Sequence, residues 1–410
     1  MTQNSIADNR MVWLDVVRCV AMLMVIGVHC IDPFYISPTM RVIPEYTHWA
    51  AIYGSLLRPS VPLFVMMTGL LLLPVRQQPL GTFYKKRIFR VLFPFLIWSV
   101  LYSMFPWFTG LLGLSKEIIG DFFCYTQGHE SQSLIDSLKD VAMIPFNFSH
   151  KENHMWYIYL LIGLYLYMPF FSAWVERASN KTKQIFLFIW IVSLFIPYIR
   201  EYVANMLFDR SGYVFGTDTW NEFSMFYYFA GFNGYLLLGH YLKEGGNGNA
   251  LKIFWPFSGS PKDDRLTNDW SVWKTFLICA VMFAIGYYVT YTGFSTTAAN
   301  PNATETEMEY FTFCSPNVLL MTLAMFLMLQ KVVINTPVIV KALANMTKCG
   351  FGIYMVHYFV VGPFFLLIGP SEIPIPLQVP LMAVCIFLCS WAFTALLYKL
   401  MPHKAKYIMG

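Results

Sequence analysis

Residues 11–30 read MVWLDVVRCVAMLMVIGVHC, a run as long as the ~20 residues that a helix needs to cross the hydrocarbon core of a bilayer. Only Asp15, Arg18 and His29 interrupt it with a charge or an imidazole. No small-residue cleavage site follows, so a retained first helix is expected here, not a signal peptide. The same reading carried outward gives ten candidate spans: 11–30, 60–73, 91–112, 155–175, 185–199, 225–242, 275–292, 311–330, 351–369 and 377–401. The second is short and extends back towards Trp49, with a break at Arg58 and Pro59. The fifth is also short and extends on towards Leu207.

Composition agrees. Of the 410 residues 57% are hydrophobic and 12% charged, against about 25% charged in an average soluble domain, and the mean hydropathy is +0.52. These values exclude a disordered chain, a fibrous repeat, a disulfide scaffold and an ordinary nucleic-acid-binding domain. The eight cysteines form no CxxC, and six of them lie in or at the ends of apolar runs, where they read as small hydrophobes. The fold class expected is an all-α polytopic membrane protein of about ten transmembrane helices, read as one domain over 1–410 in contact with a lipid bilayer.

Sidedness follows from the basic residues. Between the spans, twenty Lys and Arg fall on the side of the termini and six on the other, while Arg18 and Arg58 lie within spans. The asymmetry places both termini in the cytoplasm. The loop 115–154 is then outside and is expected to carry short amphipathic helices lying on the membrane. The loop 243–274 is a cytoplasmic connector.

Charges and imidazoles inside apolar runs cost several kcal/mol unless they pair or line a cavity. Arg18 and His29 are eleven residues apart, which sets them ~20° apart on one helical face and ~16 Å apart along it. Asp15, three residues before Arg18, is placed to pair with it. Read singly, Arg18 is a headgroup anchor and His29 an interfacial histidine; their shared face favours a functional pair. Arg87 and Arg90, separated by three residues in FYKKRIFRVLFPF, present two guanidinium forks suited to phosphate oxygens, with Lys85 and Lys86 adding charge. The bland alternative is a positive-inside anchor. Glu152, His154 and Trp156 open the fourth span from the outside and read either as part of an aromatic belt or as ligands. His357 lies inside the ninth span and His240 at the end of the sixth. His240 reads as structural, whereas His357 is either a buried structural histidine or, more weakly, a ligand.

The Arg-x10-His of the first helix, the VPLFVMMTG run from Val61 to Gly69, the RxxR of Arg87 and Arg90, the HMWYIYLL run and the GIYMVH run occur in the order of acyltransferase family 3, and over residues 11–400 the chain resembles that family. Within it the chain most resembles the surface-polysaccharide O-acetyltransferases, including those of the enterobacterial common antigen. Thr68 stands where the family often has Ser, and Met155 where Leu commonly precedes Trp156.

The resemblance implies an acyl-CoA-dependent membrane-bound O-acyltransferase of the bacterial inner membrane. Such an enzyme moves an acyl group, acetyl above all, from cytoplasmic acyl-CoA to a hydroxyl of an envelope polysaccharide or its lipid-linked precursor. It implies Arg18 and His29 as the essential pair, and Arg87 and Arg90, with Lys86 beside them, as ligands of CoA. Glu152, His154, Trp156 and His357 are the weaker candidates for the glycan acceptor. Acetyl-CoA is the expected donor, with no metal and no nucleic-acid partner. Histidine suits the buried post because its ordinary pKa, near 6.5, lets it take a hydroxyl proton at neutral pH; it is equally able to accept the acyl group itself. The competing class is a proton-coupled transporter or flippase of a polar or anionic solute, with Arg18 and Arg58 as ligands and His29 as proton carrier. Such a protein has no need of phosphate ligands at its cytoplasmic mouth. A third class, a structural membrane subunit, would tolerate neutralisation of the intramembrane charges.

Overall fold

The computed structural model describes residues 11–36, 42–113, 132–146, 154–200, 206–207, 223–244, 270–298, 312–369 and 371–410. Among them all regular structure is helical. The principal helices are α1 (Val12–Ile36), α2 (Pro44–Leu56), α3 (Ser60–Leu72), α4 (Leu80–Leu111), α5 (Leu134–Met143), α6 (Trp156–Arg177), α7 (Asn180–Ser193), α8 (Asn233–Glu244), α9 (Trp270–Ala298), α10 (Pro316–Leu329), α11 (Pro337–Ile368), α12 (Ile375–Leu400) and α13 (Ala405–Met409).

Among the described residues eight segments are long and apolar enough to cross a membrane: Val12–Phe34, Pro44–Leu72, Leu80–Leu111, Trp156–Arg177, Asn180–Tyr198, Trp273–Ser295, Pro337–Ile368 and Ile375–Leu400. Their outer faces are apolar, with Leu101, Phe170, Leu277, Leu367 and Leu396 all exposed, which suits lipid and not water. The chain is an all-α polytopic membrane protein. Its second span is broken at Leu57–Pro59 between α2 and α3, at the Arg58 and Pro59 that mark the break in the sequence.

Two of the ten candidates are shorter than a bilayer. The sixth divides into a 3₁₀ helix, Ser224–Phe229, and α8. Between them the chain turns extended at Ala230 and left-handed at Gly231, φ +85°, a conformation glycine adopts without a Cβ clash. The 12 residues of α8 rise only ~18 Å. The eighth becomes α10, 14 residues, opened by Ser315, whose Oγ accepts from Val318 N, with Pro316 in its first turn. Of the loop 115–154, α5 is described, capped by Ser133 Oγ accepting from Asp136 N; most of the remainder, and residues 245–269 of the connector 243–274, lie outside the described residues.

The chain divides into two compact units. One comprises Met1–Ala21, Arg58–Arg76 and Phe170–Ala344; the other comprises Met22–Leu57, Gln77–Pro169 and Asn345–Gly410.

In the first unit, α3 and α8 touch backbone to backbone. A Cβ at Gly69 would fall 2.0 Å from Leu236 O, and one at Gly239 the same distance from Met66 O, so two glycines permit a crossing that any side chain would prise apart. Trp190 of α7 closes over Gly234 in the same manner and donates its indole N–H to Gly231 O at 2.9 Å. A buried polar chain joins three segments: Tyr198 Oη donates to Asn317 Oδ1 at 2.9 Å, and Asn317 Nδ2 donates to Thr290 Oγ1 at 2.8 Å. His240 lies 3.1 Å from Leu73 O through Nδ1 and 3.2 Å from Lys183 Nζ through Nε2. The carbonyl accepts only, so the imidazole is a neutral bridge that takes a hydrogen bond from the buried lysine.

In the second unit, α4 is the long strut. Its Trp98 donates Nε1–H to Ile408 O at 2.9 Å, holding the segment around α13, and Tyr102 donates its hydroxyl to Met355 O of α11 at 2.9 Å. Tyr102 also stacks on Phe359 with ring centroids 3.9 Å apart. Tyr53 of α2 donates to Pro376 O, and Gly352 of α11 admits Thr394 of α12.

Candidate active site

The second unit gathers three imidazoles from three stretches of sequence. His29 comes from α1, His154 from the 3₁₀ turn that opens α6, and His357 from α11. Their ring centroids stand 5.3 Å apart for His29 and His357, 5.2 Å for His154 and His357, and 6.2 Å for His29 and His154. The wall around them is tyrosine. Tyr358 stacks on His154 at 4.4 Å and meets His29 edge-on at 5.4 Å, Tyr102 meets His154 edge-on at 5.2 Å, and Tyr354 lies 5.7 Å from His357. His154 and His357 are 1% and 0% exposed, while the His29 side chain retains 14%. His29 is thus the member open to an approaching group.

Hydrogen bonds assign the nitrogens. His29 Nδ1 is 2.7 Å from Asp32 Oδ2. A carboxylate accepts, so the proton sits on Nδ1 and the neutral ring presents a lone pair at Nε2. His357 Nδ1 is 2.7 Å from Tyr354 O, which fixes its proton in the same place, and its Nε2 is buried without a partner. Neither ring nitrogen of His154 has a hydrogen-bond partner among the described residues; the residue is tethered through its backbone, where its carbonyl accepts from the Tyr354 hydroxyl. Buried imidazoles without partners cost about 1–3 kcal/mol each, and a ligand that bonds them recovers that cost.

The residues singled out in the sequence fall as follows. His29, His154 and His357 come together. Trp156 is half-buried two residues beyond His154 and lies edge-on to Tyr157, whose ring is 6.0 Å from that of Tyr354. Glu152 lies outside the described residues. Arg18 is half-buried and Asp15 is 6% exposed, both on α1 and both in the first unit. On α4, Lys86 and Arg90 are exposed and Arg87 is half-buried. Twelve residues of the same helix separate Arg90 from Tyr102, a rise of ~18 Å, so one strut of the second unit carries both the guanidinium pair and a ring of the imidazole wall. Among the described residues no group of His, Cys, Asp and Glu is arranged to hold a metal ion.

Asp32 is the residue that sequence reasoning missed. Its signal was present, a carboxylate three residues after His29 and so on the same helical face, but it lies just past the end of the apolar run at residue 30.

The geometry is that of an imidazole held in one tautomer by a carboxylate, within a buried aromatic wall, an arrangement suited to proton transfer. A family model described as an acyltransferase domain matches residues 11–395, and the chain belongs to acyltransferase family 3. The protein is a membrane-embedded acyltransferase, and membership favours the enzyme over the transporter or flippase that competed with it. No curated protein and no solved structure matches the chain at a significant level.

Proposed function

We propose that the protein transfers an acetyl group from cytoplasmic acetyl-CoA to a hydroxyl of an envelope polysaccharide or of its lipid-linked precursor, in the bacterial inner membrane. The observation that carries the reading is the 2.7 Å contact of His29 Nδ1 with Asp32, because it leaves Nε2 free to take a proton from an attacking hydroxyl. Arg87, Arg90 and Lys86 receive the phosphates of CoA, with Arg preferred for its planar fork. Arg18 holds the donor or a neighbouring carboxylate, and His357 and the segment from Glu152 through His154 to Trp156 form the acceptor side. The hydroxyl oxygen attacks the thioester carbonyl carbon, the C–S bond breaks, and the proton collected by His29 passes to the departing CoA sulfur. Ten spans with both termini in the cytoplasm would present Arg87 and Arg90 to the compartment that supplies CoA.

The test is to incubate inverted membrane vesicles holding the protein with radiolabelled acetyl-CoA. Label is expected in the glycolipid fraction, and equal labelling of vesicles without the protein would refute the reading.

A further inference from the structure

We infer that His154 is the hydrogen-bond donor to the acyl carbonyl oxygen, a catalytic group distinct from the base. The three imidazoles differ in where their protons sit. His29 and His357 both keep theirs on Nδ1, against Asp32 and Tyr354 O at 2.7 Å each. As neutral rings they offer only lone pairs to a ligand, and two acceptors suit hydroxyl groups. In that neutral form neither has an N–H to offer an oxygen on which negative charge develops. His154 differs: with both nitrogens unpartnered among the described residues, a neutral ring there carries one N–H that none of those residues takes up.

The neighbouring tyrosines are largely committed. Tyr102 donates to Met355 O and Tyr354 to His154 O. His154 is itself immobilised, its ring stacked on Tyr358 and edge-on to Tyr102 and its backbone tied by Tyr354, so its N–H needs no reorganisation during reaction. A fixed donor in a buried site acts where charge develops, and removing one such donor costs about 10²- to 10³-fold in turnover.

The inference rests on the acyl-transfer reading above. In that reaction the carbonyl oxygen gains the electron pair of the C=O bond when the hydroxyl attacks and returns it when the C–S bond breaks. The His154 N–H bonds that oxygen in between and ends the cycle unchanged, since the travelling proton belongs to His29.

The experiment compares His154→Phe, which keeps a ring to stack on Tyr358 but has no donor, with His154→Gln, which keeps an N–H donor. Label transfer from radiolabelled acetyl-CoA to the glycolipid of membrane vesicles is measured across donor concentrations at matched protein levels, with thermal unfolding in detergent as the check on folding. His154→Phe should lose about 10²- to 10³-fold in kcat with little change in the KM for acetyl-CoA. His154→Gln should recover at least about tenfold over His154→Phe. If His154→Phe does not fold, His154→Met serves as the donorless variant. A folded donorless variant within a few-fold of wild type, or a Gln variant no better than it, overturns the inference alone. A wild-type protein that transfers no label overturns the acyl-transfer reading, and the inference with it.

Discussion

His29 and Asp32 face each other one turn apart on α1, Nδ1 to Oδ2 at 2.7 Å, with 14% and 24% of their side chains exposed. In the proposed mechanism the carboxylate would do for this histidine what the orienting acid does in a hydrolase triad: fix the tautomer and favour the imidazolium formed when the base takes a proton. Replacing Asp32 with Asn keeps the shape and removes the charge. Turnover is expected to fall by about 10²-fold or more with donor affinity kept, as read from initial rates of label transfer across acetyl-CoA concentrations. Wild-type turnover in that variant would detach Asp32 from the chemistry.

Arg87 and Arg90 belong to α4 in the same unit as the imidazoles. Alanine at either position should raise the KM for acetyl-CoA more than it lowers kcat, and lysine should restore only part of the affinity, because an ammonium lacks the planar fork. Equilibrium binding of acetyl-CoA to the purified double alanine variant checks this directly, and affinity equal to wild type would reduce the pair to membrane anchors.

Gly69, the last residue of the VPLFVMMTG run, has a packing explanation. Its missing Cβ makes room for Leu236 O, as Gly239 makes room for Met66 O. Alanine at either position forces α3 and α8 apart, and overpacking of this kind costs about 1–3 kcal/mol, occasionally more. Both variants should melt earlier in detergent, with a larger loss than a control such as Gly163→Ala, where a Cβ meets nothing within 4 Å. An unchanged melting temperature would show that the two helices do not press on each other as described.

Hydropathy made most of the fold legible, because a bilayer demands long apolar helices and little else resembles them. Pro59 after Arg58 marked the break between α2 and α3 for the same elementary reason that proline cannot continue a hydrogen-bonded turn. The sixth candidate read as one span because the methionine and aromatic rings of MFYYF at 225–229 continue the apolar run of α8. The left-handed turn at Gly231 leaves no trace in hydropathy. At the site, His29 stood out as an imidazole in an apolar helix, and His154 and His357 were visible one by one. Their meeting was not, since they are 125 and 203 residues apart and only the packing of α1, α6 and α11 in the second unit joins them. Asp32 required the i,i+3 spacing to be carried past the end of the apolar run.

Topology is open to a simple labelling test. We propose from the excess of basic residues on the side of the termini that the loop 115–154 lies outside and the loop 243–274 inside. In a cysteine-free background, single cysteines in these two loops should react with an impermeant thiol reagent from opposite faces of the membrane. Reaction of both from one face would contradict the ten-span arrangement.

The central claim is that His29 moves a proton or receives the acyl group, and one substitution addresses it most directly. His29→Gln keeps a hydrogen-bonding side chain of similar reach but cannot exchange a proton near neutral pH. In inverted vesicles given radiolabelled acetyl-CoA, with protein levels matched, transfer of label to the glycolipid should fall by about 10²- to 10⁴-fold while binding of acetyl-CoA persists. Transfer at the wild-type rate would make His29 structural and contradict the account.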